Sequence, residues 1–320
     1  MKVALVVATH NGGKVIKKCI ESLLKTDYED KEIIAVDDGS TDNTTQILES
    51  FGNKIKVLKG KRGGVGAARN IALNNADAEF VATTDDDCVV ESDWIKEAIK
   101  YFSDQNVAAV TGEKIYRITN LISAVRSMEY HIRFLRRGPT ANSVECPVAI
   151  FRKEALLKIG GFLQWSKVGG EDTEIGYKLK EAGYKIVYEP KMVVYHDPED
   201  SLRLYLRRNF RNGVAHVRVF WERNKRVALS DDFFPLTLRI QPFLTILFFL
   251  FAILILKSYL FILPFLLCLF FILFNFLPIV FAVIQRKGIL SLFATMAILF
   301  LRNIVWVWGL VIGTLRLWKR

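Results

Sequence analysis

The sequence predicts an α/β domain with a mostly parallel sheet and helices on both faces, followed by an α-helical membrane domain. Three observations carry that prediction. Short apolar runs alternate with amphipathic stretches over about residues 1–118, and polar clusters rich in Asp, Asn and Gly sit where the apolar runs end. From Ile240 to Ile284 the only charged residue is Lys257.

Taken in order, the strand candidates are Val3–Ala8, Glu32–Val36, Lys54–Leu58, Phe80–Thr84 and Val107–Thr111. Between them, Val15–Leu24, Asn43–Phe51, Val65–Asn74 and Trp94–Phe102 carry apolar residues at helical spacing. This alternation implies parallel strands joined by crossover helices, and ligands on such sheets bind beyond the carboxyl ends of the strands. Strand one ends at Thr9-His10-Asn11-Gly12-Gly13, strand two at Asp37-Asp38-Gly39-Ser40-Thr41-Asp42, and strand four at Asp85-Asp86-Asp87-Cys88.

The chain has 320 residues, a formal net charge of +11 and 51% hydrophobic residues, the last figure raised by the apolar C-terminal third. Met1-Lys2 runs directly into Val3–Val7, too short an apolar run for a signal peptide, so the first domain is expected to stay cytosolic. Cys19, Cys88, Cys146 and Cys268 are scattered without paired spacing, so they read as reduced and mostly buried rather than as a zinc site or disulfide framework.

Three adjacent carboxylates repel one another, and gathering them at a strand end suits a hard divalent cation. On an extended segment Asp85 and Asp87 point the same way and can reach one Mn²⁺ or Mg²⁺, while Asp86 faces elsewhere. The same acids could instead open the helix that follows, where the helix dipole favours negative charge. Asp37 and Asp38 beside this cluster make a costly crevice unless a cation or donor-rich group fills it. Ser40, Thr41 and Asp42 read as turn and cap residues. Gly63-Gly64-Val65-Gly66-Ala67-Ala68-Arg69-Asn70 follows the third strand, so it matches a loop entering a helix better than a dinucleotide fingerprint. Its amides and Arg69 can face phosphate.

Val7-Ala8-Thr9-His10-Asn11, Val36–Asp42, Gly66–Asn70 and Thr84–Cys88 come in the order and near the spacing of the nucleotide-sugar domain of family 2 glycosyltransferases, and residues 1 to about 200 resemble that GT-A fold. By that resemblance Asp85 and Asp87 correspond to the DxD pair that binds metal and donor diphosphate, with Asp86 beside them. Asp38, flanked by Asp37, resembles the acid that accepts a hydrogen bond from the nucleobase, Thr9, His10 and Asn11 match the segment lining the base, and Arg69 matches the arginine near the diphosphate. Gly169-Gly170-Glu171-Asp172-Thr173-Glu174 resembles the family's Glu-Asp motif, whose aspartate is the general base, although Asp172 near a helix start would also serve as a cap. Residues 112–161 correspond to the acceptor-facing region, which makes Asn142, Glu145 and Arg152 candidate acceptor or diphosphate contacts along with Glu171. His196 matches a histidine that joins the metal shell in some relatives. Arg208 and Arg211 keep the cationic spacing of the Gln-x-x-Arg-Trp motif of processive members, but the glutamine and tryptophan are missing, which counts against a polymerising synthase.

Asn120–Arg137 reads as a helix with a basic end and Val144–Arg152 as a strand. From Arg203 to Arg226 eight Lys or Arg residues and a single acid are interleaved with apolar and aromatic residues. Such a helix suits a membrane surface, and the adjoining apolar spans argue against a nucleic-acid partner. The expected organisation is a cytosolic domain over 1–200, basic interfacial helices over 201–238 and a membrane domain over 239–320. Spans are expected at about 240–256 and 259–284. The segment 289–318 is either a third span or interfacial or re-entrant helices, the latter favoured because Arg302 falls at its middle. The expected activity is metal-dependent, inverting transfer from a UDP- or GDP-sugar to a lipid-linked acceptor by a multi-pass cell-membrane enzyme. A small processive polysaccharide synthase and a catalytically silent binding subunit are the alternatives.

Overall fold

The computed structural model describes residues 1–135, 137–163, 171–196, 201–222 and 236–318. Met1–Ile115 with Arg137–Asp197 form one compact unit, and Tyr116–Arg136 with Pro198–Arg320 form another.

The first unit is a mixed α/β sheet. Its elements are β1 (Val3–Thr9), α1 (Ile16–Leu24), β2 (Lys31–Asp37), α2 (Thr44–Glu49), β3 (Lys56–Lys59), α3 (Val65–Asn75), β4 (Phe80–Asp85), β5 (Cys88–Val90), α4 (Trp94–Ile99) and β6 (Val107–Tyr116). The unit continues, after α5 (Leu121–Phe134) of the second unit, with β7 (Ala149–Arg152), α6 (Lys153–Lys158), α7 (Glu171–Glu181) and β8 (Lys185–His196). The strands lie in the order β3-β2-β1-β4-β7-β6-β8-β5. β3, β2, β1 and β4 are parallel, as the alternation implies, whereas β7 runs antiparallel to both β4 and β6, and β5 antiparallel to β8.

β1 is buried on both sides, so its run Val3–Val7 is continuously apolar rather than alternating. Ile16, Cys19, Ile20 and Leu23 recur at helical spacing on α1 and pack into the same core as Trp94 and Ile95 of α4. The parallel register sets Thr9 opposite Asp37 and Ala8 opposite Asp85. The polar strand ends therefore meet on one edge of the sheet.

Two local differences from the sequence reading have clear causes. Val144–Arg152 is not one strand, because Pro147 lacks an N–H and sits in a short 3₁₀ turn, Cys146–Val148, leaving Ala149–Arg152 to pair. Cys88–Val90 forms a three-residue strand inside what reads as an acidic helix start, because it finds a distant partner in β8.

The helical unit holds α5, α8 (Leu202–Glu222), α9 (Leu236–Leu254), α10 (Ile262–Lys287) and α11 (Leu292–Trp318). Asn120 and Ser123 form a capping box at the start of α5. Ala124, Val125 and Met128 of α5 enter one apolar cluster with Ile272, Phe276 and Val280 of α10. Tyr259–Lys287 and Ile289–Arg316 are long and apolar enough to cross a membrane, and Ile240–Leu254 is a shorter apolar helix. α11 is one unbroken helix of 27 residues, so the chain break that a re-entrant segment needs is absent from it.

α8 and α11 touch through their backbones. A Cβ on Gly309 would lie 2.3 Å from the Phe210 carbonyl oxygen, and one on Gly213 would lie 2.6 Å from that of Trp306. Gly309→Val is therefore expected to force the helices apart and destabilise the unit by about 1–3 kcal/mol, the usual range for overpacking. Thermal unfolding in detergent reads this directly, and an unchanged midpoint would refute the close crossing.

Candidate active site

At the end of β4, Asp85 and Asp87 turn toward one point, and the antiparallel pairing of β5 with β8 sets His196 opposite Cys88. His196 is 2% exposed, and its Nε2 lies 3.1 Å from Asp87 Oδ2. Asp85, Asp87, Cys88 and His196 each offer a ligand atom, all within 4.8 Å of one another. Burial pushes the Cys88 thiol well above its usual range, and the neighbouring Asp85 and Asp87 push it further. Its Sγ–H donates to Asp87 Oδ1 at 3.8 Å. Asp85, Asp87 and His196 supply two carboxylates and an imidazole, an oxygen-rich donor set that fits a hard divalent cation.

Asp86 is outside this group: with Asp87 it forms the turn between β4 and β5, not the extended segment expected from the sequence, and its carboxylate meets Thr9 instead. Burial pushes its carboxyl up to about 6 against the hydrogen bond from Thr9, with Asp87 and Asp85 adding to the rise. Thr9 Oγ1 donates to Asp86 Oδ2 at 2.6 Å, and a Cβ on Gly12 would fall 2.2 Å from that hydroxyl and 2.5 Å from the carboxylate. Glycine at 12 lets the β1–α1 loop close over the acidic turn.

Arg69 on α3 is 2% exposed, lies over the Phe162 ring and bridges two acids. Its Nη2 lies 2.9 Å from Asp85 Oδ1, and its Nη1 lies 3.7 Å from Asp172 Oδ1. One guanidinium thus ties Asp85 at the end of β4 to Asp172 at the start of α7. The side chain of Glu171 and residues Gly169-Gly170 lie outside the described residues.

The crevice beside β2 is satisfied by donors. Asp37 accepts from the Ser40 N–H at 2.9 Å and from the Thr45 hydroxyl. Burial pushes its carboxyl up, but these hydrogen bonds prevail and hold it below the usual range. Asp38 is 5% exposed, and its two oxygens accept the amide N–H groups of Gly63 at 2.9 Å and Gly64 at 2.7 Å. It pins the loop that leads into α3 and Arg69. His10 Nδ1 lies 3.0 Å from the Asp38 carbonyl oxygen, and the Asn11 side chain accepts from the Thr41 N–H at 2.8 Å, so the two loops are knitted together. Asp38→Ala leaves two loop amides without their acceptor. It is expected to destabilise the protein by about 1–3 kcal/mol, read as a lowered unfolding midpoint, and an unchanged midpoint would argue against this anchoring role.

Arg152, a candidate contact by resemblance, lies away from the acidic strand ends. Its Nη2 donates to the Phe102 carbonyl at 3.0 Å, and its guanidinium lies over the Phe80 and Phe102 rings. Antiparallel pairing puts Arg152 opposite Phe80, at the start of β4, five residues and roughly 17 Å from Asp85. Glu145 forms a buried pair with Lys114 at 3.4 Å, a partner the sequence did not suggest. Asn142 is half-buried and accepts from Lys180. Arg208 and Arg211 belong to α8 of the helical unit. All four cysteines are buried and outside any disulfide.

Residues 4–160 match the family described as Glycosyl transferase family 2. Residues 4–160 are thus a family 2 glycosyltransferase domain. Poly-beta-1,6-N-acetyl-D-glucosamine synthase of Staphylococcus aureus (strain COL) is 28% identical over 244 residues, 72% of this chain and 56% of that protein. The enzyme of the same name from Staphylococcus epidermidis is 26% identical over 246 residues, 73% and 57% respectively. The chain thus spans a little over half the length of these relatives. Among solved structures, the mannosyltransferase PcManGT from Pyrobaculum calidifontis in complex with GDP-Man and Mn²⁺ aligns with a TM-score of 0.60 at 21% identity, covering 100% of this chain and 88% of that one. GalNAc-T7 with UDP, GalNAc and Mn²⁺ aligns with a TM-score of 0.50 at 17% identity, covering 68% and 51%. These likenesses fix the fold of the family 2 domain as GT-A.

Proposed function

We propose that this glycosyltransferase is metal-dependent and inverting, and that it moves a sugar from a UDP- or GDP-sugar to a lipid-linked acceptor at the cytosolic face of the cell membrane as a multi-pass protein. The observation that supports the reading is the grouping of Asp85, Asp87 and His196, with Arg69 linking Asp85 to Asp172. Mn²⁺ or Mg²⁺ held by Asp85, Asp87 and His196 would neutralise the charge of the departing diphosphate. Asp172 takes the proton from the acceptor hydroxyl as its oxygen bonds to the anomeric carbon and the bond to the diphosphate oxygen breaks. Attack from the face opposite the leaving group inverts that carbon. Arg69 keeps Asp172 and Asp85 in register, and Thr9, His10 and Asn11 line the nucleobase beside Asp37 and Asp38.

Thermal stabilisation of the purified full chain by UDP- and GDP-sugars, each with Mn²⁺ or with EDTA, tests this. Ligand binding raises apparent stability by mass action, so a shift with one nucleotide class that EDTA removes is expected. A shift that survives EDTA would refute the metal-bridged donor site. The relatives named synthases favour a second reading, polymer extension. Product length separates the two: single transfer gives one added sugar, and extension gives a ladder.

A further inference from the structure

The geometry points to α8 and α11 lying together in the plane of the membrane surface, with Arg203, Arg207 and Arg211 against anionic lipid phosphates, so that α11 does not cross the bilayer. This rests on the membrane attachment in the proposed function and adds which helices cross.

The two helices run side by side in the same direction. Tyr205 donates to Glu129 at 2.9 Å, and Arg302 pairs with the same carboxylate. Further along, Phe210 and Gly213 meet Gly309, and Val214 and Val217 meet Gly313. Tyr205–Val217 is thus level with Arg302–Gly313 over roughly 18 Å of helix axis. The exposed Arg203, Arg207 and Arg211 stand four residues apart, in a row on α8 level with the middle of α11. If α11 spanned the membrane, this row would sit at the depth of the hydrocarbon centre, where each exposed arginine is costly and too far from either headgroup layer to reach it.

The exposed apolar residues of α11 complete the argument. The large ones, Phe293, Leu301, Trp308, Val311 and Leu315, fall within roughly an 80° arc of the helix, Ala294 and Ala297 widen the stripe to roughly 100°, and exposed Thr314 and Arg316 lie to either side of it. One narrow apolar stripe with a basic neighbour is the pattern of a helix lying in the interface, its rings at the acyl boundary and its cations among headgroups. α9 and α10 then form the crossing hairpin.

Spin labels on single added cysteines, Phe293→Cys, Leu301→Cys, Val311→Cys and Leu315→Cys, test this in the full chain in phosphatidylglycerol vesicles, with the unsubstituted chain and its four buried cysteines as background. Accessibility to oxygen against a polar nickel chelate reports depth. The expected result is one common depth within about a helical turn, ~5 Å, although the outermost labels are roughly 33 Å apart along the axis. A depth profile that passes through the bilayer centre and emerges would overturn the proposal. Arg207→Glu should move the labels outward in phosphatidylglycerol but not in phosphatidylcholine, and an equal effect in both would refute the phosphate contact. Label depth is read without turnover, so failure here leaves the transfer reading standing.

Discussion

Asp172→Asn is expected to lower transfer to a hydroxyl acceptor by about 10²–10⁴-fold, the usual worth of a positioned base, while donor-induced thermal stabilisation stays intact. Asparagine keeps the shape and the hydrogen-bonding reach of aspartate but cannot take a proton. Arg69 keeps its shorter contact with Asp85 at 2.9 Å, so the metal-type carboxylates should hold their places when the 3.7 Å contact to residue 172 is weakened. The fall should therefore appear in kcat rather than in donor affinity, which separates loss of chemistry from loss of binding. An acceptor that is already an anionic phosphate has no proton to remove, and with it the same variant should lose far less. Near-normal turnover with a hydroxyl acceptor would remove Asp172 from the mechanism, and a lost donor shift would make it a structural residue of the donor site.

Local periodicity made the parallel half of the sheet legible, because β1, β2 and β4 with their helices bury one contiguous face and end in turn residues whose chemistry is visible. The acids at those ends were legible for the same reason. Contacts between distant segments were not. Local sequence near Asp87 does not announce the antiparallel β8 that delivers His196, to which only the family resemblance pointed, and nothing near Arg69 announces that it will also meet Asp172. Arg152 shows the converse: it sits in an acceptor-like stretch of sequence, but the reversal of β7 carries it to the far end of the sheet, where it packs on aromatic rings. The candidate base belongs to a glycine-flanked motif with a cap as its simpler reading, and only its place beside Arg69 sets it apart.

Arg302 is the residue whose cost the sequence announces and whose compensation it hides. At the middle of an apolar helix it is 3% exposed, and its charge meets Glu129 of α5, 173 residues earlier in the chain. Its Nη2 donates to Gln241 of α9 at 2.5 Å and to the Asn303 side chain at 2.8 Å, and Tyr205 of α8 donates to the same Glu129 oxygen at 2.9 Å. One buried ion pair thus joins four helices that are otherwise held by apolar packing. Removing either partner strands a charge where water cannot reach it, so Arg302→Met and Glu129→Leu should each destabilise the helical unit by about 3–5 kcal/mol. The two changes together should recover most of that loss, because no charge is then stranded and two apolar side chains of similar volume fill the space. Thermal unfolding of the three variants in detergent, set against the parent, decides the point. Additive losses in the double variant would mean that the two residues act separately, and a stable Arg302→Met chain would mean that Glu129 finds another partner or takes up a proton.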